Sequence, residues 1–215
     1  PFLPLVFAAG FAQLGIVNGA PEPGMDPVAG LGVHLLDYRT SVCTGTLITP
    51  QVLLTAGHCG GDYDIETIVA LGTAFFGPDL EGAFYEARFA DFAIHPDYEP
   101  LVSNRSETFY GSHDVSVLTL TEPVPDIEPV LLRRDETTTE QQGMELLSVG
   151  WGSTGPDGGG GGVRRSATVV VDQVWQGFLL SRNDGNPNDA NICGGDSGGP
   201  QLEVTEHRLI EWAVH

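Results

Sequence analysis

Lysine is absent from this chain. All nine basic residues are arginine, set against 29 acidic residues for a formal net charge of −20. A field of that sign repels a phosphate backbone, so nucleic acid is not expected as a partner. A solvated acidic surface is the plainer consequence, and attraction of cationic substrates is the other. Long hydrophobic runs are missing too. None approaches the roughly 20 apolar residues of a membrane-spanning helix, so no membrane partner is expected. Sustained helical periodicity is lacking apart from a turn expected after Thr55, which excludes a helical bundle or coiled coil. Cysteine is scarce, at three in 215 residues, and the odd count leaves open a free thiol, an intermolecular bridge or a missing partner.

What the chain has is glycine and proline, 29 and 15 of them, spread between short apolar segments. Apolar, β-branched runs recur at 32–36, 45–49, 52–54, 68–72, 87–94, 115–120, 144–150, 167–171 and 209–214, bounded by Gly, Pro, Asp or Asn. That is the strand-and-turn rhythm of all-β sandwiches and barrels. The length suits one large all-β unit or two small ones. The glycine run Gly158–Gly162 reads as a mobile surface loop, 181–191 as a second loop, and 121–128, with Pro123 and Pro125, as a link between halves. Residues 1–14 are uncharged, with an apolar block followed by small residues, as in the tail of a secretory signal peptide. The other reading is an apolar N-terminal strand. Export permits disulfides. With an apolar run at its end, the chain reads as a fragment at both ends.

Three segments carry chemistry: Leu53-Leu54-Thr55-Ala56-Gly57-His58-Cys59, His113-Asp114-Val115-Ser116-Val117-Leu118, and Gly194-Gly195-Asp196-Ser197-Gly198-Gly199-Pro200. A serine hydroxyl is a poor nucleophile until an imidazole takes its proton and a carboxylate fixes the imidazole's tautomer. Glycines around a serine let backbone N–H groups turn toward a developing oxyanion. Each motif alone is modest, since most histidines are surface or core residues and most such aspartates are turn residues. The Gly195-x-Ser197-x-Gly199 pattern also matches the α/β-hydrolase elbow, but that fold needs its acid and histidine after the serine, and only 18 residues follow Ser197 in a chain of 215.

The order His, Asp, Ser resembles that of the chymotrypsin/trypsin-fold serine proteases. The resemblance extends over residues 16–215 through Ile16-Val17-Asn18-Gly19, Ala56–Cys59, Ile94-His95-Pro96-Asp97-Tyr98, Asp114, Val149-Gly150-Trp151-Gly152 and Gly195–Pro200. It implies an all-β fold of two six-stranded antiparallel Greek-key barrels, the second incomplete. Residues 1–15 are then a signal or pro-segment remnant, 16–125 the first barrel half and 126–215 the second, together one peptidase domain.

The same resemblance implies roles. Ser197 is the nucleophile, His58 the general base and Asp114 its orienting carboxylate. The N–H groups of Gly195 and Ser197 form the oxyanion hole, Cys43 pairs with Cys59, and Cys193 pairs with a cysteine outside this sequence. Cleavage before Ile16 would free an ammonium to pair with Asp196, although Gly15 stands where many zymogens carry Arg or Lys. Asn191 falls at the floor of the specificity pocket, where a neutral amide cannot select Arg or Lys by a buried ion pair, even with Asp189 nearby. Asp79, Glu81 and Glu86 fall where relatives bind calcium, but Thr73 replaces the leading carboxylate, so no metal site and no cofactor are expected. Asn104-Arg105-Ser106 is a glycosylation sequon if the source glycosylates. The expected protein is a secreted or periplasmic monomeric endopeptidase whose partners are protein or peptide substrates and a protein inhibitor. The alternative is a non-catalytic homologue that uses the scaffold as a binding module.

Overall fold

The computed structural model describes residues 16–60, 64–99, 103–104, 107–108, 113–155, 158–175, 178–181 and 190–215. Most of the apolar runs become antiparallel strands, because alternating side chains can bury one face while the backbone pairs with its neighbours. In chain order they are β1 (Ala20–Pro21), β2 (Val28–Leu35), β3 (Tyr38–Thr49), β4 (Val52–Thr55), the helix α1 (Ile65–Leu71), β5 (Gly72–Phe76), β6 (Tyr85–Ile94), β7 (Ser103–Asn104), β8 (Glu107–Thr108) and β9 (Ser116–Leu120). There follow β10 (Leu131–Leu132), β11 (Glu145–Gly150), β12 (Arg165–Trp175), β13 (Phe178–Ser181), β14 (Pro200–Val204) and β15 (Leu209–Val214).

Six strands close into a barrel in the order β2-β3-β4-β9-β6-β5, every pair antiparallel. Leu31, Leu47, Leu53, Phe76, Phe89, Phe92, Leu118 and Leu120 fill it, each at most 6% exposed. The second half is an open sheet, β1-β12-β11-β14-β15-β10, with β13 added to β12; its pairs are antiparallel except the parallel β10–β15 contact. One barrel is thus closed and the other only curled.

A second apolar cluster of Val28, Phe75, Val130, Val149, Trp151 and Leu202 joins the halves. Trp151 is its plug. Its indole N–H donates to the Val28 carbonyl at 3.2 Å, and a Cβ on Gly30 would lie 2.7 Å from its ring. The N-terminal strap is fastened by Arg164, whose side chain is 0% exposed and donates to the carbonyls of Glu22, Pro23 and Val28 and to Asp26 Oδ1. Burial pulls this guanidinium below its usual pKa, while Asp26 pulls it back up.

Three local expectations need correction. The run at 68–72 is not a strand: Ile68 lies in α1, and β5 starts only at Gly72. The Asp64 carboxylate caps the helix, accepting from the Thr67 N–H at 2.8 Å and the Thr67 hydroxyl at 2.7 Å, and this local bond outweighs the β-branched bias of Ile65, Thr67, Ile68 and Val69. The glycine run is a loop but a fastened one. Gly162 donates to the Trp151 carbonyl, its own carbonyl receives the Leu80 N–H, and the Gly159 carbonyl receives the Thr154 N–H. Short strands β10, β13 and β14 also appear where no run was read. Residues 1–15 and 182–189, including Gly15 and Asp189, lie outside the described residues, as do Arg105 and Ser106 of the sequon.

Candidate active site

His58 and Asp114 come from adjacent strands. β4 and β9 pair antiparallel with Thr55 opposite Ser116, so the chain leaving β4 and the chain entering β9 emerge side by side. Leaving β4, the chain folds at once into a 3₁₀ turn over Gly57–Gly60, which carries His58. The Ser116 hydroxyl donates to the Ala56 carbonyl at 2.8 Å and ties the two exits together. Asp114 then grips His58 at two points: Oδ1 accepts the backbone N–H at 2.8 Å, and Oδ2 accepts Nδ1–H at 2.7 Å. With the proton fixed on Nδ1, the lone pair of Nε2 is left to accept another. Burial by itself would raise the Asp114 pKa, but the His58 side-chain and backbone hydrogen bonds and the imidazole's charge together hold it below the ordinary carboxylate value. Tyr98 closes this side. A Cβ on Gly57 would sit 3.1 Å from both Asp114 Oδ1 and Tyr98 Cδ2, and burial, followed by the Asp114 charge, pushes the phenol's pKa up.

The disulfide joins Cys43 to Cys59 across 16 positions, bracketing the His58 turn. A loop of that size contributes on the order of 3 kcal/mol by restricting the unfolded chain. The Cys59 Sγ also lies 3.5 Å from the Ser197 carbonyl, and the Thr44 N–H donates to that same carbonyl at 2.8 Å. The serine loop of the second half is thereby docked against the histidine turn of the first. Among the described residues, the Ser197 hydroxyl makes no hydrogen bond to His58.

The serine loop is a compact turn. Gly195 and Gly198 have φ of 98° and 83°, in the left-handed region that favours glycine. The N–H groups of Gly198 and Gly199 are used by the His215 and Asp196 carbonyls, whereas those of Gly195 and Ser197 donate to no acceptor among the described residues. Asp196 is 0% exposed, with Oδ1 accepting from Gly152 N–H and Oδ2 from Cys193 N–H, each at 2.8 Å. Burial raises its pKa, against those two hydrogen bonds and the Arg165 guanidinium. Gly152 is required by this approach, since a Cβ there would fall 2.6 Å from the Asp196 carboxylate.

The remaining predicted residues fall nearby. Ile16 is 1% exposed, and Val17 bridges Asn191, whose N–H donates to the Val17 carbonyl at 3.1 Å. Asn191 Oδ1 accepts the Ile192 N–H, so the side chain caps its own loop. Cys193 is a half-buried free thiol whose sulfur lies 3.3 Å from the Ser153 hydroxyl oxygen. Of the acids weighed for calcium, Glu86 is held by His34 at 2.6 Å and Arg39 at 2.9 Å, and Asp79 Oδ1 accepts the Gly82 N–H. Sequence reasoning missed Thr44 and Ser116 as organisers of the site. Thr44 shows only as a hydroxyl next to Cys43, and Ser116 only as one within the Asp114 segment.

The Trypsin family model matches residues 30–207, and the chain belongs to this family of serine proteases and their homologues. Among curated relatives, ovochymase of Halocynthia roretzi is 26% identical over 79% of the chain and glandular kallikrein-10 of Rattus norvegicus is 34% identical over 67%. Tonin of Rattus norvegicus is 34% identical over 75% of the chain. The matches span 11%, 58% and 66% of those three proteins, respectively. No helix of the described residues is long and apolar enough to cross a membrane.

Proposed function

We propose that the chain is the peptidase domain, residues 16–125 and 126–215 together, of a secreted or periplasmic monomeric serine endopeptidase, and that it needs no cofactor. The observation that carries the reading is the two-point grip of Asp114 on His58, with the serine loop docked against the same turn. In this mechanism His58 Nε2 takes the Ser197 hydroxyl proton as Oγ attacks the peptide carbonyl carbon. The carbonyl oxygen becomes an oxyanion held by the N–H groups of Gly195 and Ser197, at roughly 3 kcal/mol per donor. The imidazolium, stabilised by Asp114, gives its proton to the departing amine and leaves an acyl-enzyme. Water then attacks the ester through the same groups and releases Ser197.

A serine-directed phosphonate tests the reading: the active form labels at Ser197 and Ser197→Ala does not. A correctly folded protein with no labelling and no peptide turnover identifies the alternative, a non-catalytic homologue acting as a binding module. A protein inhibitor is the expected second partner of an active enzyme.

Activation belongs to the same proposal. Cleavage after Gly15 by a non-tryptic protease, or by signal processing itself, frees an Ile16 ammonium that pairs with the buried Asp196, whose unpaired charge is otherwise costly. Full activity in a protein with its N-terminus proven upstream of Ile16 refutes the switch.

Primary specificity follows Asn191. Without a carboxylate at that position, cleavage after Arg is expected to exceed cleavage after Leu, Phe or Ala by far less than about a hundredfold. Matched peptide series give the ratio, and a larger preference for Arg refutes this role for Asn191.

A further inference from the structure

Gly195 is the hinge of the serine loop. Its φ of 98° and missing side chain leave the peptides on either side free to turn, and a turned peptide points its N–H away from the place where a substrate oxygen would sit. A peptide is planar and trans, so fixing its carbonyl fixes its N–H in the opposite direction. The Gly194 carbonyl, in the peptide that carries the Gly195 N–H, accepts from the Ser153 N–H at 2.7 Å and the Ser153 hydroxyl at 3.1 Å. The Gly195 carbonyl, on the other side of the hinge, accepts from the Thr44 hydroxyl at 2.9 Å.

Thr44 is built for this bond. It is 0% exposed, and its Oγ1 receives the Trp151 N–H at 3.0 Å, which leaves the hydroxyl proton only one direction to go. Its carbonyl accepts from the Thr55 hydroxyl at 2.7 Å, and its own N–H holds the Ser197 carbonyl. One residue of β3, in the closed barrel, thus grips the serine loop of the other half on both sides of Asp196.

We propose that Thr44 is a positioning residue for the oxyanion hole: Ser153 orients the peptide that carries the Gly195 N–H, and the Thr44 hydroxyl fixes the following peptide through the Gly195 carbonyl, so that the hinge between them cannot relax and the Gly195 N–H stays aimed at the substrate oxygen. The inference rests on the protease reading, and the effect it assigns to Thr44 belongs to the transition state rather than to substrate binding.

The test uses the full chain in its active form. Thr44→Val keeps the shape and removes the hydroxyl. It is expected to lower kcat by about ten- to a hundredfold with KM within about twofold, and to weaken by the same factor a peptide aldehyde, whose hemiacetal oxygen occupies the hole. Thr44→Ser restores kcat to within about threefold, because the hydroxyl is back. Unchanged kcat in Thr44→Val, a loss confined to KM, or a Thr44→Ser variant as slow as Thr44→Val each overturns the inference. Should Thr44→Val fail to fold, Thr44→Ala replaces it in the comparison and the same outcomes decide. A wild-type protein that neither labels with phosphonate nor turns over sinks the protease reading itself. A wild-type protein that turns over beside an equally active Thr44→Val sinks only the role of Thr44.

Discussion

Asp114→Asn lowers kcat on a peptide substrate by about four orders of magnitude and leaves KM and the folded structure largely intact. The cause is the tautomer. The carboxylate accepts twice from His58, from the backbone N–H and from Nδ1–H, and only the second bond chooses which ring nitrogen keeps the proton. In asparagine one oxygen becomes an NH₂ group. If the remaining oxygen keeps the backbone N–H, the amide presents a donor to Nδ1, the ring proton moves to Nε2, and the base that should receive the Ser197 proton is already occupied. Nothing else at the site needs to move. Because Asp114 is held below the ordinary carboxylate pKa, it stays ionised well into acid, so its own protonation does not set any loss of activity near neutrality. The measurement is kcat and KM for the variant beside its thermal midpoint. A variant retaining more than about a tenth of wild-type turnover would falsify the role given to Asp114.

How much of this was legible beforehand follows the range of the interactions. The His58 turn, the Asp114 strand entry and the glycines at 195 and 198 announce themselves because each motif's geometry is local. Strands β3, β6, β9 and β11 show, in whole or in part, as the apolar, β-branched runs at 45–49, 87–94, 115–120 and 144–150. The closed first barrel and open second sheet also agree with the architecture that the family resemblance implied. What stayed hidden depends on partners far along the chain. Thr44 looks like an ordinary strand threonine until Trp151 and Gly195 arrive from the other half, 107 and 151 positions away. Arg164 and Arg165 look like a surface pair, yet they are 0% and 9% exposed because main-chain carbonyls around each replace water. α1 was misread because one capping bond outweighs four β-branched residues. The two-residue strand β10 is too short to show any period.

Glu211 was invisible in the same way, and it produces the largest expected effect on stability. It sits on β15 between Leu202 of β14 and Leu132 of β10, 3% exposed, with the Thr46 hydroxyl of β3 at 3.4 Å from Oε1 and no partner for Oε2. The charged groups on adjoining strand positions are engaged elsewhere. Arg133 lies over the Trp212 ring and pairs with Asp135, and Glu203 accepts the Trp212 indole N–H. Burial, only partly offset by the Thr46 hydroxyl, pushes the Glu211 pKa from 4.5 to about 8. The folded protein therefore binds more protons than the unfolded chain across that interval, and stability falls as pH rises through it, by a few kcal/mol in all. Asp196, also raised by burial, adds a slope of the same sign. His215 works the other way: half-buried, with Nε2 shielded from solvent and without a partner among the described residues, it is pushed by burial from 6.5 down to about 4, so the folded state binds fewer protons there and stability rises with pH over that range. The opposing slopes place the stability maximum on the acid side of neutrality, with a decline toward about pH 8. Glu211→Gln keeps the shape and removes the ionisation. In urea unfolding it should match wild type near about pH 5 and exceed it by a few kcal/mol near about pH 8, flattening most of the alkaline decline. Parallel curves for the two proteins from about pH 5 to 8 would show that the carboxyl is not titrating inside the fold.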